Sequence, residues 1–224
     1  MGIDSKKYKE IITGLGSSVK LVAVSKTKPV EDIRELYDLG QRDFGENYVQ
    51  EMTGKQAQLP QDIRWHFIGH LQSNKIKYIA PFVYMIQGVD SYKLLAEIDK
   101  QAKKNQRIIQ CLLQVHIAAE ETKFGFNEDE LTDTIHQFKQ KNEFENIKLS
   151  GLMGMASFTE DQNLVRKEFI YLRSLFDKVS EMLKDDNFST LSMGMSSDYR
   201  IAIEEGSNMV RIGSLIFGER VYNK

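Results

Sequence analysis

The sequence predicts an α/β fold, a single (β/α)8 TIM-type barrel occupying residues 1–224. Three observations carry this prediction. Eight short apolar runs, rich in β-branched residues, recur along the chain as candidate buried strands. Helical stretches with apolar positions three and four residues apart separate them. No internal repeat, low-complexity tract or linker interrupts the series. Strands alternating with helices imply a parallel sheet with crossovers, and eight units in a chain of this size favour closure. An open doubly wound sheet is the alternative.

The elements follow in order. Residues 3 to 14 are weakly amphipathic and suit a leading helix. Leu21 to Val24 opens the first strand, which runs on to Lys26. Pro29 fits the first turn of the next helix, because it lacks the amide proton that would go unpaired there. Val30, Ile33, Leu36, Tyr37 and Leu39 form that helix's stripe, closed by Gly40. Arg42 to Gly45 is the second strand, and Asn47 is placed to cap a helix running toward Leu59. Trp65 to Ile68 is the third strand, with a short helix after Lys75, and Phe82 to Val89 is the fourth. Ser91 caps a helix striped by Leu94, Leu95, Ile98 and Ala102. The run Ile108 to Ile117 is the clearest strand, and Asn127 introduces a helix with Leu131, Ile135 and Phe138 inward. Ile147 to Met153 is the sixth strand. Thr159-Glu-Asp-Gln162 has a capping-box pattern opening a long helix with Val165, Phe169, Leu172, Phe176, Val179 and Leu183 on one stripe. Thr190 to Met193 is the seventh strand, Ser197 or Asp198 caps a helix closed by Gly206, and Met209 to Gly213 is the eighth. A short charged tail follows Phe217.

Composition narrows the function. With 41% hydrophobic residues the chain can bury one sizeable core, and a net charge of −2 with 28% charged residues gives no general pull toward nucleic acid or membrane. The single cysteine, Cys111, lies in an apolar run and reads as a buried thiol, which fits a reducing compartment. No stretch approaches the roughly 20 apolar residues of a membrane span. The amino terminus has neither a secretory apolar region nor a myristoylation signal. A soluble, cytoplasmic protein is the expectation.

Three features carry chemistry. Side chains alternate along a strand, so Val22, Val24 and Lys26 share a face at the strand's carboxyl end. A lysine there is poorly solvated, and its free amine becomes available to attack a carbonyl; the alternative is a lysine snorkelling from a strand end. In such barrels phosphate is commonly held by the loops after strands seven and eight. Here those loops read Gly194-Met-Ser-Ser-Asp198, with Asp198 better suited to capping than to touching an anion, and Ile212-Gly-Ser214. Arg211 shares a face with Met209 and Gly213, and an arginine inside a barrel mouth must be paired or must bind an anion or acceptor. A Schiff-base lysine, a phosphate cradle and an inward arginine on one rim describe a site for pyridoxal phosphate.

Six motifs, in order, then carry a resemblance over nearly the whole chain. They are Ala23-Val-Ser-Lys-Thr-Lys-Pro29, Phe44-Gly-Glu-Asn-Tyr48, Trp65-His-Phe-Ile-Gly-His-Leu-Gln-Ser-Asn-Lys75, Gly151-Leu-Met153, Leu191-Ser-Met-Gly-Met-Ser196, and Met209-Val-Arg-Ile-Gly213 with Phe217-Gly218. The chain resembles the pyridoxal-phosphate homeostasis protein family, whose barrel is like the N-terminal cofactor domain of alanine racemases. The resemblance implies that Lys26 forms the Schiff base with pyridoxal 5'-phosphate, and that Ser196, Gly213 and Ser214 hold the phosphate with amides of a helix starting at Ser197. It implies further that Arg211 faces the pyridine nitrogen. Asn47 and His66 are candidate cofactor contacts, with a helix cap and a strand-end hydrogen bond as their alternatives. Met193 is expected to line the ring pocket, or to be a core methionine. The family often has His-Ser where this chain has Gln87-Gly88, and threonine at Ser214. The histidines His70, His116 and His136 lack ligand spacing, so no metal site is expected.

Three functions remain. A carrier would bind and buffer the cofactor and pass it to apo forms of enzymes that need it. A racemase would need an acid or base on each face of the substrate carbon, and in racemases the second comes from a domain for which this chain has no room. A lysine-dependent aldolase on sugar phosphates would need an inward carboxylate that does not stand out. The carrier, as a monomer with little catalytic activity, is the expectation.

Overall fold

The computed structural model describes residues 2–120, 124–141 and 143–218. Its strands are β1 (Lys20–Val24), β2 (Asp43–Glu46), β3 (Arg64–Phe67), β4 (Met85–Val89), β5 (Ile109–Val115), β6 (Ile147–Gly154), β7 (Thr190–Ser192) and β8 (Met209–Ile212). All pair in parallel and in sequence order, and β8 returns to β1 from Lys20 opposite Met209 to Ala23 opposite Ile212, which closes the barrel. The open-sheet alternative is excluded. The helices are α1 (Ser5–Leu15), α2 (Val30–Asp38), α3 (Val49–Gln56), α4 (Ile76–Ile79), α5 (Tyr92–Lys104), α6 (Glu128–Lys141), α7 (Gln162–Leu183), α8 (Tyr199–Glu204) and α9 (Ser214–Phe217).

Strand alternation divides the apolar residues into two layers. Leu21, Ala23, Leu191, Val210 and Ile212 join the large core between strands and helices. Val22, Met85, Leu112, Met153 and Met209 form a separate plug inside the barrel. Residues of one strand that differ by one position therefore face different environments.

The caps show where local chemistry decided the boundaries. Ser91 accepts the Leu94 amide at 3.3 Å, and Asn127 accepts that of Glu130 at 2.9 Å while Glu130 answers back to the Asn127 amide at 3.0 Å. For α7 the cap is Asp161, not Thr159: its carboxylate takes the amides of Asn163 and Leu164 at 2.9 and 3.3 Å. Pro29 stands one residue before α2, at its N-cap, and Leu39 at the far end is 38% exposed rather than inward. Asn47 does not cap α3, whose N-cap is Tyr48. Cys111 is fully buried, and burial pushes its thiol well above the usual range. The charged tail expected after Phe217 lies, from residue 219, outside the described residues.

Candidate functional site at the carboxyl end of the barrel

A cavity of about 380 Å³ opens at the carboxyl ends of the strands, a size usual for small-ligand sites. Val24, Lys26, Lys28 and Asn47 line one side, Met155 and Phe158 the side after β6, Met195, Ser196 and Ser197 the loop after β7, and Arg211, Gly213 and Ser214 the eighth unit.

Lys26 sits two residues past β1 in a tight turn, closed by the Lys28 amide donating to the Ser25 carbonyl at 3.0 Å. Thr27 in that turn has φ of 64°, the left-handed region, where a β-branched residue is strained. Buried charge holds it there. The Thr27 amide donates to Glu51 at 2.5 Å, and the Lys55 ammonium joins Glu51 at 2.6 Å, Glu46 at 2.8 Å and the Ser25 carbonyl at 2.8 Å. The Ser25 hydroxyl donates to Glu46 at 2.6 Å. Burial pushes the Glu46 carboxyl up, and the Lys55 charge pulls against it. Both neighbours of Lys26 are thus tied to α3. Lys28 turns its ammonium to the carbonyls of Phe217 and Gly218, at 2.7 and 3.1 Å.

The loops after β7 and β8 meet as the fold rule requires. The Ser196 hydroxyl accepts the Gly213 amide at 3.3 Å. A Cβ on Gly213 would stand 3.1 Å from the Val24 carbonyl oxygen and 3.3 Å from its Cβ, so glycine lets the eighth loop come close to β1. Asp198 occupies the N-cap position of α8, but its carboxylate folds back to the Met195 amide at 2.5 Å and stays off the helix. The helix itself starts at Tyr199 and not at Ser197.

Arg211 lines the cavity while only 3% exposed. Its Nη1 donates to the carbonyl and hydroxyl of Ser192, at 2.9 and 2.6 Å, and its Nη2 to the Gly154 carbonyl at 2.9 Å. Those bonds use three of the five N–H groups a guanidinium carries. Burial pushes its pKa down to about 10, against the pull of Asp198, which still leaves a cation at neutral pH.

Of the sequence candidates, Lys26, Asn47, Ser196, Arg211, Gly213 and Ser214 come together at this cavity. His66 and Met193 do not. His66 is fully buried inside the barrel with both ring nitrogens engaged, Nε2 with Asp43 at 2.9 Å and Nδ1 with Gln87 at 3.0 Å. Met193 packs in the outer core, because Ser192 takes the inward position of β7. Met155 and Met195 line the cavity instead. The signal for Met155 was present in the alternation through Met153, an inward residue two positions earlier. The Glu46–Lys55–Glu51 group left no such signal, since Glu51 and Lys55, four apart in α3, read as a solvated helix face and Glu46 belongs to a different element, the end of β2.

The donor set fits pyridoxal phosphate. A primary amine, hydroxyls beside a backbone amide and a buried cation with N–H groups to offer match an aldehyde, a phosphate and a ring nitrogen. The buried Asn47 Oδ1 has no hydrogen-bond partner among the described residues, which leaves it able to accept from a ligand donor.

Comparison with known proteins agrees. The family model described as the alanine racemase N-terminal domain matches residues 5–221. A pyridoxal phosphate homeostasis protein of Pasteurella multocida is 42% identical over 213 residues, 93% of this chain and 89% of that one. The chain belongs to the pyridoxal phosphate homeostasis protein family. PipY of Synechococcus elongatus, solved with PLP bound, superposes with a TM-score of 0.86 at 33% identity, covering 95% of this chain and 99% of its own. An alanine racemase of Clostridium difficile shares the fold alone, with a TM-score of 0.74 at 16% identity over 97% of this chain and 55% of the racemase.

Proposed function

We propose that this protein binds pyridoxal 5'-phosphate through Lys26, takes part in its homeostasis and passes it to apo-enzymes. The observation that carries this is the buried, still-charged Arg211 lining the same cavity as the bracketed Lys26 turn. The bound group supplies an aldehyde that condenses with an amine and releases one water, and an electron-withdrawing ring. Ser196, Ser214 and the Gly213 loop are placed for its phosphate. Arg211 would serve its ring nitrogen as a donor that keeps its own proton, which would leave that nitrogen an unprotonated acceptor and the ring less strongly electron-withdrawing. That favours holding the cofactor over carbanion chemistry.

The cavity's composition supports the same reading. Its described lining residues offer two amines, Lys26 and Lys28, and three serine hydroxyls, with no carboxylate, imidazole or phenol among them. Lys28 is engaged by the end of α9. A racemase would need an acid or base on the second face of the substrate carbon, and an aldolase a partner for Lys26.

The test is the visible spectrum of the protein before and after adding pyridoxal phosphate, beside Lys26→Ala. A yellow band in the parent that is missing in the variant is expected. A parent that stays colourless once the excess cofactor, itself yellow, has been removed by gel filtration would reject the reading. Exchange of an amino acid's α-proton faster than with free cofactor would reject the non-catalytic part alone.

A further inference from the structure

A line of buried polar side chains leaves the cavity and crosses the barrel interior. The Arg211 Nη1 donates to the Ser192 hydroxyl at 2.6 Å, and that hydroxyl donates to Gln87 Oε1 at 2.7 Å. The Gln87 amide nitrogen faces His66 Nδ1 at 3.0 Å, and His66 Nε2 faces Asp43 at 2.9 Å. Asp43 is held from outside by both ends of the Arg64 fork, at 2.9 and 2.6 Å. Its carboxylate borders a second depression at the opposite mouth, lined also by Arg64 and Lys20. All five residues from Arg211 to Asp43 are at most 5% exposed.

The two ends fix the order between them. A guanidinium only donates. Asp43 only accepts, because the hydrogen bonds from His66 and Arg64 outweigh its burial and hold it ionised, well below the usual carboxylate range. Burial also disfavours the charged form of His66, whose pKa is lowered although Asp43 pulls the other way. A neutral His66 facing a carboxylate must carry its proton on Nε2, so Nδ1 accepts. The Gln87 amide must then present nitrogen to His66 and oxygen to Ser192. That oxygen draws the Ser192 hydrogen away and leaves a lone pair for Arg211. With the amide reversed, Ser192 would face two donors and the imidazole would need a proton on Nδ1.

We propose that Gln87 and His66, which do not line the cavity, are positioning residues for the cofactor's ring: they fix the donor order that locks the Arg211 guanidinium in place. The role rests on the cofactor reading above. It gives His66 and Gln87 a part in binding that proximity would never assign, and it places one determinant of the site, Asp43, near the far mouth of the barrel.

The test has a cofactor-free arm and a loaded arm. In the cofactor-free protein, nitrogen-15 NMR of His66 is expected to show a neutral ring protonated on Nε2 at pH 7, and Gln87→Glu is expected to convert it to imidazolium. With pyridoxal phosphate, Gln87→Leu and Ser192→Ala should each weaken binding about tenfold, the size of one lost buried hydrogen bond. The absorption band of the bound cofactor should also shift. Because both break the same chain, the double variant should lose little more than either single one. A purely structural role would lower the melting temperature and leave the band in place. The proposal is overturned if His66 carries its proton on Nδ1, if either folded variant binds as the parent does with an unmoved band, or if the two losses multiply. A parent that takes up no pyridoxal phosphate overturns the functional reading and the positioning role together, whereas a binding parent matched by its variants overturns the positioning role alone.

Discussion

Lys26 sits in a turn whose geometry its own sequence disfavours. The cost of a non-glycine residue in the left-handed region is about 1–2 kcal/mol, and Thr27 sustains it with its amide on Glu51. Thr27→Gly removes that strain and loosens the turn at once. We expect it to leave the folded state unchanged or stabilised by about 1 kcal/mol, yet to slow capture of pyridoxal phosphate by Lys26. Stopped-flow absorbance and thermal melts on one preparation check this, and a variant that captures as fast as the parent would refute the bracketing role. Glu51→Gln should slow capture from the other side, by replacing a charged acceptor with a neutral one worth about half as much. At this scale the sequence was legible wherever strand parity governs. Val22, Met209 and Arg211 face as their alternation predicts, and Lys26 reaches the cavity from a turn past β1, whereas Met193 packs outward beside the inward Ser192. For His66 the inward face was predictable, but its depth was not. Depth along the axis depends on register with β2 and β4, a long-range property that no local pattern encodes.

Elements tolerate loose definition except where two backbones touch. Gly151 sits at a register shift between β5 and β6, with φ of 153°, and a Cβ there would fall 1.7 Å from the Thr190 carbonyl oxygen of β7. No side-chain movement can relieve a clash with backbone. Gly151→Ala should therefore cost about 3 kcal/mol or more, a large part of a typical domain's stability. Urea denaturation will show it, and a loss below about 1 kcal/mol would mean that the β6–β7 pairing yields more easily than a packed barrel should. The order of the eight strands and the helices between them could be read from apolar spacing, because eight strand–helix alternations leave few topologies; the short α9 after β8 could not. Nor could the ends of the elements. The α7 cap falls to Asp161 because a carboxylate can take two amides at once, a competition that the Thr159-Glu-Asp-Gln162 pattern leaves undecided.

The molecule as a whole encloses titratable groups in its interior, so its stability must follow pH. His66 has a folded pKa below the unfolded value of about 6.5. Between those two values the unfolded chain binds the extra proton, so His66's contribution is present at neutral pH and is lost as the pH falls through that window. Asp43 has the same sign but acts lower: its contribution holds above the unfolded carboxyl value of about 3.9 and is lost only in stronger acid. Glu46, raised by burial, has the opposite sign, since its folded carboxyl keeps a proton that the unfolded one has released. Total stability mixes these terms, but comparison with His66→Gln isolates one of them. The stability advantage of the parent over His66→Gln should narrow from pH 7 to pH 5, by at most about 2 kcal/mol given the unfolded value and that pH range. Urea denaturation of both proteins at the two pH values measures it. An advantage that stays constant, or widens in acid, would mean that the barrel accommodates a charged imidazole beside Asp43, and the donor order from Asp43 to Arg211 would then have no fixed direction.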